Sequence, residues 1–202
     1  MDDRDEVLRR VRDALKPLPV RAPLPDWDEA LLAVKEPAGG ADLGRRFAGR
    51  LSQIGGVVFE SAEQVAAYLR ERGCRRGYCD PQLLGELAAP LSREFALEPA
   101  FDRGRADDYE FGITGSAGAI AATGTIVLSD AACASRLGAL APWIHIAVVT
   151  RATIVSDVPA ALAALPADPN VVWCTGPSST ADVEGILIRG VHGPGVQAAW
   201  LV

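Results

Sequence analysis

The hydrophobic pattern divides the chain into a short helical arm, a proline-rich linker and a longer region that alternates strands with helices. Over residues 2–16, apolar side chains recur at positions 7, 8, 11, 14 and 15, which places them on one face of a helix. The four prolines from Pro17 to Pro25 then predict an extended linker. We therefore expect residues 1–39 to form an arm and linker, which docks either on its own domain or on a partner.

From residue 40 onward, short apolar runs alternate with amphipathic segments. The runs predict strands at residues 57–59, 74–80, 126–129, 146–149, 171–174 and 195–202. The amphipathic segments predict helices at residues 41–54, 61–72, 81–87, 132–140 and 157–165, and the small residues 116–122 predict a further helical turn. Because strands and helices alternate, we expect residues 40–202 to form one α/β domain with right-handed crossovers.

Charge and lysine usage narrow the range of functions. The 202 residues carry a net charge of -6, which argues against nucleic acid or an anionic membrane surface as the main partner. The only lysines are Lys16 and Lys35. The body of the chain therefore has neither the lysine of a phosphate-binding P-loop nor one that could form a Schiff base with pyridoxal phosphate.

The cysteine pattern and the N-terminus indicate a soluble cytoplasmic protein without a metal site. The four cysteines, at positions 74, 79, 133 and 174, include no C-x-x-C pair and have no nearby histidine at zinc spacing. We therefore expect isolated, reduced core thiols and no metal. The polar N-terminus lacks the apolar core of a signal peptide, and no apolar run is long enough for membrane insertion.

Two glycine- and hydroxyl-rich loops, residues 112–125 and residues 176–184, are candidate ligand-binding elements, because open α/β sheets bind ligands beyond the carboxyl ends of their strands. In the first loop, a helix that begins after Gly115 would present free N–H groups to an anion; the alternative is a tightly turned buried loop. The candidate ligand-binding residues of the two loops are Thr114, Gly115, Ser116, Thr123, Gly124, Thr125, Gly176, Ser178, Ser179 and Thr180.

Three further residues are candidates for catalysis. If the segment after Thr180 is extended, Asp182 and Glu184 share one face and could hold Mg²⁺ or act as acid and base. If it is helical, Asp182 or Thr180 caps its start. His192 lies between glycines in a loop, where it is either an acid–base group or a structural hydrogen-bonding residue. For His145, which precedes an apolar strand, we expect a core position with its hydrogen bonds satisfied.

Several of these segments together resemble the LUD-domain family. The resemblance rests on Gly112-Ile113-Thr114-Gly115, on A-A-T-G-T-I-V-L at residues 121–128, on P-W-I-H-I at 142–146, on T-G-P-S-S-T-A-D-V-E at 175–184 and on G-V-H-G-P at 190–194. The short chain without cysteine runs is most similar to the lactate utilization protein C branch. The chain departs from the family pattern at Ala122, where many relatives carry an acidic residue just before Thr-Gly-Thr. If that acid is a catalytic group in the relatives, this chain lacks it.

The resemblance implies both a fold and a process. The implied fold is similar to the NagB/RpiA/CoA-transferase-like group, a three-layer open, mainly parallel sheet with helices on both faces. The implied process is the oxidation of L-lactate to pyruvate, in which partner components carry the iron–sulfur clusters and this component carries none. Two alternatives remain open: a stand-alone enzyme or binding protein for a small anionic, phosphorylated or CoA-like ligand, and a non-catalytic assembly subunit. The cofactor, if one is used, stays unassigned.

Overall fold

The computed structural model describes residues 3–17, 42–164, 168, 170–181 and 186–202. The chain divides into two compact units, Met1–Ala38 and Gly39–Val202. In the first unit, helix α1 (Asp3–Leu15) has three acidic residues in its first turn and Arg12 in its last. These charges interact favourably with the helix dipole. No helix in the described part of the chain is long and apolar enough to cross a membrane.

A six-stranded parallel sheet forms the centre of the second unit. Its strands, in spatial order, are β1 (Val57–Phe59), β12 (Val196–Leu201), β7 (Ile144–Val149), β4 (Phe111–Thr114), β2 (Arg76–Cys79) and β3 (Ala96–Glu98). Every neighbouring pair is parallel. The expected α/β class with an open, mainly parallel sheet is therefore confirmed.

One face of this sheet packs against helix α3 (Ala62–Glu71) and short 3-10 turns. Ser61 begins α3 as predicted, because its hydroxyl accepts a hydrogen bond from the N–H of Gln64. Alternate residues of the strands, such as Ile113 and Ile146, lie in this core with Phe59. The helix predicted over residues 81–87 is shorter than expected, since only Pro81–Leu83 form a 3-10 turn.

A second sheet covers the other face, together with helices α2 (Leu43–Gln53) and α4 (Arg136–Leu140). Its strands, in spatial order, are β8 (Ile154–Val155), β5 (Gly118–Ile120), β6 (Thr125–Ser129) and β9 (Val171–Thr175). The helical turn predicted over residues 116–122 is wrong, because β5 occupies this segment and pairs with both β6 and β8. Helix α5 (Val158–Ala164) packs on the far side of this second sheet.

Two features complete the domain. Strands β10 (Ser179–Ala181) and β11 (Leu187–Arg189) form a separate antiparallel hairpin. Helix α4 lies so close to β4 that a side chain at Gly112 would clash with the backbone carbonyl of Gly138. Glycine is therefore required at position 112 by close backbone approach rather than by an unusual φ angle.

Candidate functional site

A cavity of about 600 Å³ lies at the edge of the central sheet where β2, β4 and β7 end. Its lining combines polar side chains with loop backbone and includes Gln82, Gly115, Ser116, Asp130, Ala132 and Thr150. These residues follow the carboxyl ends of three parallel strands or belong to the loop after β6. The position agrees with the general location of ligand sites in open α/β sheets, so this cavity is the main candidate functional site.

The buried carboxylate of Asp80 organises the loops around this cavity. Asp80 directly follows β2 and has no exposed surface. Its Oδ1 accepts a hydrogen bond of 2.6 Å from the hydroxyl of Tyr78. Its Oδ2 accepts bonds of 2.8 Å from the N–H of Gly115 and 3.2 Å from the N–H of Ala134. One carboxylate therefore ties the loop after β4 to the loop after β6.

The titratable side chains next to Asp80 are shielded from water, which favours their neutral forms. Burial, reinforced by the hydrogen bond and the charge of Asp80, raises the pKa of Tyr78, so this hydroxyl remains a donor at neutral pH. Burial and then the charge of Asp80 raise the pKa of Cys133 to about 11 and that of Cys79 to about 12. The thiols next to the site are therefore protonated and poorly nucleophilic at neutral pH.

A row of buried polar side chains crosses the central sheet beside Asp80. The ring of His145 on β7 lies between Thr114 on β4 and Gln197 on β12, with 2.9 Å from Nε2 to Thr114 Oγ1 and 2.9 Å from Nδ1 to Gln197 Nε2. The Thr114 hydroxyl donates to the carbonyl of Gly115 at 3.1 Å. Nδ1 also lies 3.2 Å from Gln197 Oε1, so both ring nitrogens have a hydrogen-bond partner, and a neutral ring donates through one nitrogen and accepts through the other.

Burial favours the neutral form of His145. Because the ring is fully buried, desolvation lowers its pKa to about 4, although the bond to Gln197 acts in the opposite direction. The expected core position of His145, with both ring nitrogens hydrogen-bonded, is what the structure shows. The row links three strands of the sheet to the loop at Gly115 and so supports the floor of the cavity.

Thr114, Gly115 and Ser116 from the first predicted loop lie at this site. Thr114 is buried in the polar row, and the Ser116 hydroxyl donates a hydrogen bond of 2.7 Å to the carbonyl of Val148 on β7. The N–H of Gly115 is not available as the predicted anion ligand, because no helix begins there and Asp80 already accepts its hydrogen bond. The carboxylate of Asp80 takes the place that an external anion was expected to fill.

The other residues of that loop lie elsewhere. The hydroxyl of Thr125 is 2.6 Å from that of Thr123 and 2.8 Å from that of Thr175. Thr125 shares the face of β6 with Val127, which packs beside α5, whereas Ile126 packs toward the central sheet. This row of hydroxyls is thus on the outer face of the second sheet. Gly124, with φ of +67°, turns the chain against the backbone of Leu51.

The residues of the second loop and His192 form a third group. The N–H of Ser178 donates to the carbonyl of Pro194, and the carbonyl of Ser178 accepts from the N–H of Gly190. These two bonds place Ser178 against the loop that holds the exposed His192. Gly176 makes a turn next to Ile54, and Ser179 and Thr180 enter β10. Asp182 and Glu184 lie outside the described residues.

The structure therefore distributes those predicted site residues that it describes over three places, and it adds Asp80, which sequence reasoning missed. A signal for Asp80 was present, since an aspartate directly after an apolar strand and before a proline lies at the carboxyl edge of a parallel sheet. The partners that make it important, Gly115 and Ala134, are 35 and 54 residues away in the chain. Only the fold brings them together.

Comparison with known proteins gives consistent matches. Residues 53–197 match the model of the LUD domain. A lactate utilization protein C from Bacillus licheniformis is 39% identical over 106 residues, which are 48% of this chain and 44% of that protein. One from Deinococcus radiodurans is 36% identical over 102 residues, 48% of each protein. The chain thus matches a little under half the length of each of these curated relatives.

A solved structure is also similar. The crystal structure of a DUF162 family protein from Deinococcus radiodurans superposes with a TM-score of 0.58 and 26% sequence identity. The similarity covers 82% of this chain and 99% of the other. The arrangement of the central sheet and its covering layers is therefore shared with an experimentally determined structure.

Proposed function

Because the chain belongs to the LUD-domain family, we propose that it is a component of a lactate-utilisation system that supports the oxidation of L-lactate to pyruvate. The observation that carries this proposal is the LUD-domain match over residues 53–197 together with curated relatives that are named lactate utilization protein C. The fold supports it, since the same sheet architecture occurs in the DUF162 family structure.

We propose that the redox centres of this system lie in iron–sulfur partner proteins. Oxidation of lactate to pyruvate releases two electrons and two protons, so an electron acceptor is needed. Iron–sulfur clusters are held by cysteine thiolates, and burial raises the pKa of Cys79, Cys133 and Cys174. Within the described ranges, no group of three or more His, Cys, Asp or Glu side chains is placed to hold a metal ion.

Within this chain, the cavity at the carboxyl edge is the proposed site for a small anionic ligand. The neutral hydroxyl of Thr150 lines it as a donor, whereas the Ser116 hydroxyl already donates to the carbonyl of Val148, and the Gln82 amide donates to Ala132 and more weakly to Asp80. Asp80 acts from behind the cavity by holding Gly115 and Ala134 in place. The catalytic roles of Asp182, Glu184 and His192 remain proposals.

Copurification tests the assignment of redox centres to partners. The full chain, tagged after the exposed Val202, is isolated from its host grown on L-lactate. We expect the eluate to contain iron, acid-labile sulfide and an activity that reduces an artificial acceptor with L-lactate. Cells with the tag alone provide the background. An eluate that contains the chain in good yield but neither iron nor lactate-dependent activity would contradict this part of the proposal.

The same experiment, carried out with variants of α1, tests whether the N-terminal arm binds the partner proteins. Val11 lies on the apolar stripe of α1, whereas Arg12 lies among its polar residues. If the arm binds partners, Val11→Asp should remove the iron-containing proteins from the eluate, while the control Arg12→Ala should retain them. Equal recovery with both variants would place the partner surface outside the arm.

A further inference from the structure

A second cavity, of about 590 Å³, lies at the opposite edge of the central sheet, beside the starts of β4 and β7. Its lining includes Arg72, Asp107, Tyr109, Glu110, Trp143 and Gly193. The volume is within the range of small-molecule sites. The proposed lactate function does not use this cavity, which we call the Trp143 cleft.

The indole of Trp143 forms an ordered aromatic wall of the cleft. The residue precedes β7 directly and is 56% exposed. Its ring lies against the backbone of Gly190 and Gly195, where a side chain at either position would overlap the ring carbons. The carbonyl of Trp143 also accepts a hydrogen bond of 3.0 Å from the N–H of Val196. The glycines thus hold the indole in place while much of its surface stays free to stack on a ligand.

Arg72 supplies a positive charge to the cleft. Its guanidinium stacks on the ring of Tyr68, 3.5 Å from the centroid. One terminal nitrogen of the guanidinium also lies 3.5 Å from the carbonyl of Tyr68, a long hydrogen bond, and the remaining edge N–H groups can donate to an anion. Its ion pair with Glu71, at 3.7 Å between two exposed side chains, is too long and too hydrated to compete strongly.

The two carboxylates of the cleft differ in their availability. Glu110 accepts hydrogen bonds from the backbone N–H groups of Arg75 and Arg76, both at Oε2, so one of its two carboxylate oxygens is occupied. Asp107 is exposed at the rim, where its carboxylate can accept from an amino group. The cleft therefore offers a stacking surface, an anion-binding group and a hydrogen-bond acceptor within one volume.

We propose that the Trp143 cleft binds a mononucleotide, with the base stacked on Trp143 and the phosphate paired with Arg72. Stacking on an indole is tolerant of base identity, because every base has a π-face. The pairing of a guanidinium with a phosphate is charge-assisted and supplies the second anchor. The carboxylate of Asp107 accepts from an amino group where the base carries one.

Tryptophan fluorescence of the full chain tests this binding with AMP and UMP as probes. We expect saturable quenching with both nucleotides in the wild type and in the control Trp173→Phe, whose half-buried residue lies in β9 of the second sheet. Trp143→Phe should abolish the quenching. Arg72→Gln should weaken the binding of AMP by about tenfold, the effect of losing one charge-assisted hydrogen bond. It should leave the binding of adenosine unchanged, because adenosine has no phosphate.

Several outcomes would overturn the proposal. One is the absence of saturable binding of either nucleotide up to roughly 1 mM, the weak end of specific affinities. Another is equal weakening of AMP and adenosine by Arg72→Gln. Self-association of the chain that disappears in Trp143→Phe, without nucleotide binding, would assign the exposed indole to a contact between copies. Because Arg72 is exposed, its variant should fold, and calorimetry with AMP then remains decisive even if Trp143→Phe is unstable.

Discussion

Asp80→Ala is expected to lower the free energy of unfolding by roughly 3–5 kcal/mol, because about 1–3 kcal/mol is lost for each buried donor left unpaired. The substitution removes the acceptor of the Tyr78 hydroxyl and of the N–H groups of Gly115 and Ala134. The longer bond of 3.4 Å from the amide of Gln82 is lost as well. It also releases the contact between the loops after β4 and β6. Urea denaturation followed by circular dichroism measures the change.

A matched pair of variants separates this effect from a general loss of charge. Asp130→Asn changes an exposed carboxylate of the same edge, whose ion pair with Arg136 and hydrogen bond from Asn170 lie at the surface, so its effect should stay below about 1 kcal/mol. Asp80→Asn keeps the volume of the side chain but replaces one acceptor oxygen with a donor. Its loss of stability should therefore lie between those of Asp130→Asn and Asp80→Ala. An Asp80→Ala variant within 1 kcal/mol of the wild type, a small effect by the same scale, would show that the loops are held by other contacts.

The stability of the protein should decrease as the pH falls from about 6.5 to about 4, in part because of His145. Its pKa is lowered from 6.5 to about 4 in the folded state, so in this interval the unfolded chain binds a proton that the folded chain does not. The contribution is fully present above pH 6.5 and is lost as the pH approaches 4. A pKa difference of this size corresponds to roughly 3 kcal/mol.

Carboxylates also titrate in this interval, so the measurement compares variants. The free energy of unfolding is determined at several pH values for the wild type, His145→Gln and His192→Gln. We expect His145→Gln to lose the His145 part of the pH dependence, and His192→Gln, which changes an exposed ring, to retain it. Parallel pH profiles of wild type and His145→Gln would show that the buried ring does not titrate as the geometry requires.

Local sequence pattern was sufficient for most of the parallel sheet. The short apolar runs before residues 60, 80 and 150 and at the C-terminus correspond to β1, β2, β7 and β12. Ser61, Ser135 and Asp157 begin helices through the hydrogen bonds expected of N-caps. These signals are encoded within a few residues of each element, so they can be read without knowledge of the fold.

Long-range pairing determines the features that the sequence did not reveal. Residues 116–122 are small and fit a helical turn locally, but β5 gains backbone pairing on both sides from β6 and β8. The alternation of β6 places Thr125 on the outer face of the second sheet, away from Thr114. Similarly, the row of Thr114, His145 and Gln197 depends on the register of three strands, which no local motif specifies.

We propose that the chain supports the oxidation of L-lactate to pyruvate, so its loss should affect growth on L-lactate and not growth on pyruvate. The gene is deleted in its host, and growth is measured with L-lactate or with pyruvate as the sole carbon source. We predict that the deletion abolishes growth on L-lactate, leaves growth on pyruvate intact, and is complemented by the intact gene. Growth of the deletion strain on L-lactate at the wild-type rate, or an equal defect on pyruvate, would contradict the proposed function.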